Sequence, residues 1–411
     1  MMDIARPAAV GMSADRLARI GDLMQRYVDT GKYAGCMTLV ARHGQVAYFD
    51  MRGQADDAAG RPVRADDIWR IYSMSKPITS VAAMTLFEEG LFQLDDPVAR
   101  FLPEFADMQL WIDGEGDAMR TEPVGDAMQI WHLMTHTAGL VYGRRDDSPV
   151  GLATRAAGVE FSGNKNTATL ADMTQRCAAM PLRWRPGSRW EYSVATDVLG
   201  RLVEVVAGKP LDVVLRERIF EPLGMNDSYF QLPADKADRL TALYQLEADG
   251  ARTLADPGSA ESSWVKPVTL FSGGGGLVST AADYFKFSDM LRQNGEYEGA
   301  RILGRKTAEY MMRNHLPGNA DLTTMGSPVF SETSYDGIGF SLGGSVVVDA
   351  ATAKALCSEG EFAWGGAAST GFWVDRAEGV VAVFMTQLLP SSSYPIRREL
   401  RSLVYQSLID A

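Results

Sequence analysis

The spacing of apolar residues predicts a helix near the start of the chain. Between residues 14 and 30 the apolar side chains recur every three to four positions, as they do on the buried face of a helix. Ser13 stands before this run as a residue that can cap a helix, and Gly31 follows it as one that can end a helix. The apolar stripe consists of Leu17, Ile20, Leu23 and Met24. We therefore expect a first helix from about Ala14 to Thr30.

Shorter runs rich in β-branched and apolar residues predict strands at both ends of the chain. His43-Gly44 separates the first two runs and is typical of a hairpin turn. A helical pattern from about Pro395 to Ile409 follows the last run. The predicted strands cover Cys36 to Ala41, Gln45 to Met51, Gly344 to Asp349, Phe372 to Asp375 and Val380 to Gln387.

The middle of the chain has a different pattern. From Ser73 to about Leu223, helical periods alternate with loops rich in Gly and Pro. We therefore expect an α/β fold of the α+β type, in which an antiparallel sheet from both chain ends is flanked by the terminal helices. The α/β lobe would comprise about residues 1–72 and 270–411, and a mostly helical lobe about 73–269, within one unit. Val141 to Thr169 and Glu247 to Pro267 are predicted as long loops of the kind that form lids or binding sites.

Composition and charge exclude several functions. The 411 residues are 46% hydrophobic and 22% charged, an ordinary globular mix. Forty Lys and Arg against 52 Asp and Glu give a net charge of −12, which argues against nucleic-acid or membrane partners because both need a basic face. No apolar run approaches the ~18 residues of a bilayer span, and residues 1–7 hold no apolar signal core. Cys36, Cys177 and Cys357 have neither disulfide-framework nor zinc-ligand spacing. We expect a soluble protein of a reducing compartment, most simply the cytoplasm.

A first serine motif is rejected as the nucleophile. Residues 339–343, Gly-Phe-Ser-Leu-Gly, match G-x-S-x-G, which requires a helix after the serine and a histidine later in the chain. The last histidine is His315, and the residues after Leu342 favour a strand. Ser341 is therefore interpreted as part of a turn that enters a strand.

A second serine motif, S-x-x-K, carries a plausible chemistry at Ser73. Lys76 follows it by nearly one helical turn, so the hydroxyl and the amine lie on the same face. A serine becomes nucleophilic when a neighbouring base takes its proton, and an amine in a desolvated site can be that base. A helix N-terminus at Ser73 would also place a positive dipole beside a developing oxyanion. The alternative is a helix cap followed by a solvated lysine.

The same motif occurs twice more without a suitable context. Ser162 and Lys165 lie in a loop rich in Gly and Asn, and Ser263 and Lys266 lie in an extended run that meets a proline. Ser73, in contrast, stands at the start of an amphipathic helix. Pro77 follows it by four residues, and a proline is tolerated only in the first turn of a helix.

A further base must come from a distant segment, and Tyr192 is the candidate. It stands where the loop of residues 184–191 gives way to a helical run. A tyrosine at such a junction can project into a cleft, and a nearby lysine cation favours the phenolate that a base needs. The alternative is a structural aromatic side chain.

Five motifs in one order resemble the serine β-lactamase-related family, and within it most closely the family VIII carboxylesterases, relatives of class C β-lactamases. The resemblance spans about residues 10 to 405. The first four motifs are Ser73-Met74-Ser75-Lys76, Leu133 to Leu140, Pro186-Gly187-Ser188 with Glu191-Tyr192-Ser193, and Gly273 to Thr280. The resemblance implies a β-lactamase/transpeptidase-like fold with Ser73 as nucleophile, Lys76 as its partner and Tyr192 as general base.

The fifth motif departs from the lactamase pattern. Where class C β-lactamases carry Lys-Thr-Gly, this chain has Trp364-Gly365-Gly366, so a cation is replaced by an apolar wall. The lactamase pattern Tyr-x-Asn after the general base is also broken, because Val194 takes the place of the asparagine. Both changes favour uncharged esters as substrates. Trp364, Gly365 and Gly366 are therefore predicted to contact the substrate.

The resemblance also implies an oxyanion hole. Its donors would be the backbone N–H groups of Ser73 and Ala367, with Gly365 and Gly366 allowing a close backbone approach. A strand bulge is the alternative role of the two glycines. His132 and His136 have the spacing of a helical metal pair but lack the glutamate of H-E-x-x-H, so we interpret them as structural.

We therefore predict a serine carboxylesterase that hydrolyses short-chain, uncharged esters through an acyl-enzyme, without metal or cofactor. The expected partner is a small-molecule ester, not a nucleic acid or a membrane. A β-lactamase or an acyltransferase could use the same groups. A module of another class, which is acylated once or only binds, is the remaining alternative.

Overall fold

The computed structural model describes residues 3–159, 168–326 and 334–409. The strands are β1 Gly35–Arg42, β2 Gln45–Asp56, β3 Arg61–Pro62, β4 Trp69–Arg70, β5 Gln109–Asp113, β6 Arg120–Pro123, β7 Leu243–Leu246, β8 Arg252–Asp256, β9 Val278–Ser279, β10 Glu296–Tyr297, β11 Ala300–Arg301, β12 Ile338–Phe340, β13 Ser345–Val347, β14 Phe362–Gly365, β15 Gly371–Asp375, β16 Val380–Thr386 and β17 Leu388–Leu389. The α-helices are α1 Ala14–Asp29, α2 Ser75–Glu88, α3 Ile130–Met134, α4 Pro149–Ala156, α5 Leu170–Ala178, α6 Ala195–Ala207, α7 Leu211–Leu215, α8 Glu221–Leu223, α9 Ala281–Arg292, α10 Arg305–Met311, α11 Leu322–Met325, α12 Ala350–Ala353 and α13 Ile396–Tyr405.

The main sheet joins the two ends of the chain, as predicted. Among the described residues it has eight strands in the order β12-β13-β14-β15-β16-β1-β2-β3, and every adjacent pair is antiparallel. In its centre Cys36 lies opposite Thr386. His43 and Gly44, with φ of 51° and 80°, turn β1 back into β2. These are the left-handed dihedrals that a tight hairpin turn requires.

Both faces of this sheet are covered, which explains why β1 is buried along its whole length. On one face Val40 packs with Leu17 of α1 and Leu400 of α13 in a common apolar cluster. On the other face Leu39 joins the large core that also contains α2 and α9. The terminal helices predicted from the sequence therefore flank the sheet, and Ser13 caps α1 by accepting a hydrogen bond from the Arg16 N–H.

The two predictions of long structureless loops are wrong where the structure describes them. Helix α4 lies inside the first segment because Ser148 caps it and Pro149 occupies its first turn. Strand β8 lies inside the second segment, where it pairs with β7. The buried Arg70 holds the end of this hairpin by donating to Asp256 and, at 3.0 Å, to the Pro257 carbonyl. Residues 160–167 of the first segment lie outside the described residues.

Candidate active site

Ser73 lies in a 3₁₀ turn, Tyr72–Met74, that leads directly into α2. Tyr72 has a φ of 44°, a left-handed conformation that costs free energy in a residue other than glycine. The turn is held from several sides: the Ser75 hydroxyl donates to the Tyr72 carbonyl at 2.6 Å, and the Trp264 ring packs edge-on against Tyr72 at 5.6 Å. The Tyr284 hydroxyl donates to the Met74 carbonyl at 2.8 Å. A strained but well-supported turn therefore presents Ser73 at the start of the helix.

Lys76 is fully buried one turn further along α2. Its ammonium nitrogen donates to Ser73 Oγ at 3.3 Å, to the Tyr142 hydroxyl at 3.1 Å and to the Gly274 carbonyl at 2.6 Å. A protonated lysine has three N–H donors, so these three oxygens match the charged form of the side chain.

Tyr192 approaches Ser73 from a distant segment, immediately before α6. Its hydroxyl lies 2.7 Å from Ser73 Oγ, close enough for direct proton transfer. The Lys76 ammonium lies 4.7 Å from the centre of the Tyr192 ring, and Val194 forms the N-terminal boundary of α6. The three side chains predicted from the motifs therefore meet at one point.

The end of β14 forms the opposite wall. Trp364 packs against the Tyr192 ring with centroids 5.5 Å apart. A methyl group at Gly366 would lie only 2.4 Å from the Ile71 carbonyl oxygen, so this glycine is required where the strand end meets the Ser73 turn. Ala367 follows it and lines the same cleft as Ser73.

The cleft above Ser73 has a volume of about 470 Å³. Tyr142, Tyr192 and Trp364 give it an aromatic side, and Leu243 and Leu389 add aliphatic surface. This volume lies in the range of small-molecule sites.

The other serine candidates lie elsewhere. Ser341 is fully buried, and its hydroxyl donates to the Gly344 carbonyl at 2.8 Å in the turn between β12 and β13. Ser263 borders the cleft but donates to Asp256 at 2.9 Å, and Lys266 lies 3.9 Å from Glu261 instead. The third motif, residues 162–165, lies outside the described residues.

The two histidines of the helical spacing have separate structural partners. His132 Nδ1 accepts a hydrogen bond from the Gln129 N–H at 2.9 Å, and His136 Nδ1 lies 3.2 Å from the Ser193 hydroxyl. In residues 3–159, 168–326 and 334–409, no group of three or more His, Cys, Asp or Glu side chains is arranged to hold a metal ion. Within the same ranges no helix is both long and apolar enough to span a bilayer.

Sequence reasoning missed three residues that contact the predicted site or its supports. Tyr142 and Gly274 bind Lys76, and the buried Asp197 accepts a hydrogen bond from the Gly274 N–H. Tyr142 lies only two residues after the Leu133–Leu140 motif, which was a usable signal. Gly274 lies in the Gly273–Thr280 motif, but that motif does not by itself indicate a contact with Lys76 or Asp197.

Comparison with known proteins identifies the family and several relatives of this chain. A family model described as "Beta-lactamase" matches residues 20–406. Esterase EstB of Burkholderia gladioli is 31% identical over 414 residues, which cover 97% of this chain and 98% of EstB. A protein of Mycobacterium tuberculosis, Rv1367c, is 34% identical over 372 residues, covering 89% of this chain and 88% of its own.

A solved structure supports the same assignment. The structure described as EstCE1, a hydrolase with promiscuous acyltransferase activity, has a TM-score of 0.81 and 29% identity, and the match covers 95% of this chain and 99% of EstCE1. The resemblance to family VIII carboxylesterases and the β-lactamase/transpeptidase-like fold are thereby confirmed. With a family model that matches nearly its full length, the chain belongs to the Beta-lactamase family.

Proposed function

We propose that this protein is a serine carboxylesterase that forms an acyl-enzyme on Ser73. The observation that carries the proposal is the meeting of Ser73 Oγ, the Tyr192 hydroxyl at 2.7 Å and the Lys76 ammonium at 3.3 Å at a cleft. A serine with a hydrogen-bonded base and a cation beside that base is the arrangement that nucleophilic catalysis needs.

In the first step Ser73 Oγ attacks the ester carbonyl while Tyr192, as phenolate beside the Lys76 ammonium, takes the serine proton. The oxyanion is bound by the backbone N–H groups of Ser73 and Ala367. Each such donor contributes about 3 kcal/mol to transition-state stabilisation. Tyr192 then gives the proton to the departing alkoxide, which leaves as the alcohol.

In the second step water takes the place of the alcohol. Tyr192 removes a proton from the water, the resulting hydroxide attacks the acyl-enzyme carbonyl, and the proton returns to Ser73 Oγ as the acid leaves. Neither step requires a metal or a cofactor. It also explains why a second acceptor, such as another alcohol, could compete with water.

The proposed substrates are short-chain, uncharged esters. The sequence resemblance aligns Trp364 with the lysine of the lactamase Lys-Thr-Gly motif, and the Trp364 ring forms part of the aromatic side of the cleft. Trp364, Gly365 and Gly366 would contact the acyl or alcohol group of such an ester. Acyl transfer is a second candidate, because the EstCE1 structure is described as a hydrolase with promiscuous acyltransferase activity.

The test is a pair of serine variants assayed on 4-nitrophenyl acetate and with a fluorophosphonate label. Ser73→Ala should abolish both turnover and labelling, since it removes the nucleophile. Ser341→Ala is the matched control and should keep most of both, provided that the variant retains the thermal midpoint of the native protein. Labelling of Ser341 in the Ser73→Ala protein would transfer the role to the other motif.

Two further measurements separate the alternatives. Nitrocefin turnover would assign a β-lactamase activity, and ester formation with an added alcohol would assign acyl transfer. A single burst of 4-nitrophenol equal to the enzyme concentration, without later turnover, would identify a module that is acylated once.

A further inference from the structure

Asp197 is a buried carboxylate that lies close to the site without touching the cleft. It occupies the third position of α6, and its side chain is fully buried. Oδ1 accepts hydrogen bonds from the Ser272 hydroxyl at 2.5 Å and from the Gly274 N–H at 3.0 Å, whereas Oδ2 has no hydrogen-bond partner among the residues that the structure describes. A buried charge of this kind is costly unless a nearby opposite charge compensates it.

The compensating charge is the Lys76 ammonium. Gly274 connects the two groups, because its N–H binds Asp197 while its carbonyl accepts the 2.6 Å hydrogen bond from Lys76. A methyl group at Gly274 would lie 2.7 Å from Asp197 Oδ2, so the backbone passes as close to the carboxylate as a glycine allows. Asp197 thus holds Gly274 in position, and the Gly274 carbonyl in turn holds the Lys76 ammonium.

Several titratable groups surround Asp197 and Lys76. Burial raises the pKa of Asp197 above its ordinary value, and Lys76 and the two hydrogen bonds oppose that rise. Tyr142 and Tyr192 face Lys76 from two other segments. His136 faces it as well: burial first, and Lys76 second, hold the pKa of His136 well below its ordinary value. Cys177 lies near Asp197, and burial followed by the effect of Asp197 raises the pKa of its thiol to about 12.

We propose that Asp197 is a positioning residue that holds Lys76 in place through Gly274, so that Tyr192 and not Lys76 accepts the Ser73 proton. The inference rests on the proposed function for its catalytic consequence. The charge pairing itself is a property of the fold and can be tested without any substrate.

The first test is a double-mutant cycle on stability, measured as the urea midpoint at pH 7.5. Asp197→Asn should lower the midpoint of the native protein because it removes the partner of a buried cation. In the Lys76→Met background the same change should be much less harmful or should raise the midpoint, since the carboxylate is then the uncompensated group. Equal losses in both backgrounds would overturn the pairing.

Asp283→Asn is the matched control. Asp283 also occupies the third position of a helix, is buried, and accepts hydrogen bonds from a backbone N–H, that of Asp227, and from a serine hydroxyl, that of Ser228. It should give the same loss with and without Lys76. If Asp197→Asn does not fold alone, its folding in the Lys76→Met background supports the pairing, whereas failure in both backgrounds contradicts it.

The second test is the pH dependence of ester hydrolysis. Asp197→Asn should lower kcat on the order of 10- to 100-fold with a smaller change in KM, because the Lys76 ammonium is then misplaced relative to Ser73 and Tyr192. The alkaline limb of the pH–kcat profile should move to lower pH, since removing a buried negative charge beside the site favours the loss of a proton there. Asp197→Glu should restore the position of the limb in part, and Asp283→Asn should leave it unchanged.

These outcomes separate the two proposals. A loss of kcat with an unmoved alkaline limb would show a merely structural role and overturn the positioning role. Absence of ester turnover in the native protein would defeat the proposed function, while the urea cycle would still report on the pair.

Discussion

At the scale of single residues, the site depends on how Lys76 distributes its three donors. Ser73, Tyr142 and Gly274 each accept one of them, so every N–H of the buried ammonium is used. A buried donor that loses its partner costs about 1–3 kcal/mol, and more when it is charged. The position of the ammonium relative to Ser73 is therefore sensitive to the two acceptors that have no chemical role of their own.

Tyr142→Phe tests this sensitivity. The change removes the hydroxyl that accepts from Lys76 at 3.1 Å and keeps the ring that lines the cleft. We expect kcat on 4-nitrophenyl acetate to fall about 10-fold, because one N–H of the ammonium is left without an acceptor, while KM changes little. Tyr192→Phe, which removes the proposed base, should cost 10²- to 10⁴-fold.

Tyr229→Phe is the control for that experiment. Its hydroxyl also accepts from a lysine, Lys236 at 2.6 Å, with the ammonium 5.2 Å from the ring centre, but neither residue lines the cleft. It should leave kcat unchanged. A Tyr142→Phe enzyme with native kcat would show that the hydroxyl does not place Lys76.

At the scale of elements, the site is assembled where the β14 end meets the turn that precedes α2. A Cβ at Gly366 would lie 2.2 Å from Thr370 Oγ1 and 2.4 Å from the Ile71 carbonyl. These distances cannot be relieved by rotating a long side chain, because one neighbour is backbone. The register between strand end and turn is therefore fixed by the absence of a side chain.

Gly366→Ala should displace the strand end and with it the N–H of Ala367. We expect a 10²- to 10³-fold loss of kcat, the usual effect of losing an oxyanion donor. Fluorophosphonate labelling of Ser73 should slow in parallel, since it needs the same hole. Gly60→Ala, at a turn position with open space around the new methyl group, should keep native kcat. Native activity of Gly366→Ala would remove Ala367 from the proposed hole.

The same elements show what the sequence could predict. Period and capping residues found α1 and the β1–β2 hairpin, because these depend on local spacing. The sequence did not predict strand β8, because β8 forms by pairing with β7 and is held by Arg70, which lies nearly two hundred residues away in the chain. Motifs predicted Ser73, Lys76 and Tyr192 as one site. Asp197 carries no local signal in the sequence, because its hydrogen bonds are made with residues 272–274, far along the chain.

At the scale of the whole molecule, the central sheet needs both chain ends, since β1 pairs with β16 along seven positions. The segment between them supplies Lys76, Tyr142 and Tyr192, so the site exists only when distant parts of the chain have folded together. The assignment of residues 73–269 to a separate lobe stays a prediction. Within that segment, β5 pairs with β6 and β7 pairs with β8, so it is not purely helical.

The buried histidines give this assembly a predictable response to acid. Burial lowers the pKa of His132 from 6.5 to about 4. In the unfolded chain His132 binds a proton near pH 6.5, whereas in the folded protein it stays neutral until about pH 4. The free energy of unfolding therefore falls as the pH drops from 6.5 toward 4. His132→Asn removes this group while an amide oxygen can still accept from the Gln129 N–H. Urea unfolding should show a native-minus-variant difference in unfolding free energy that shrinks by about 2–3 kcal/mol between pH 7.5 and 4.5. Every other titrating group is common to both proteins and cancels in the difference, so a difference independent of pH would contradict a neutral, buried His132.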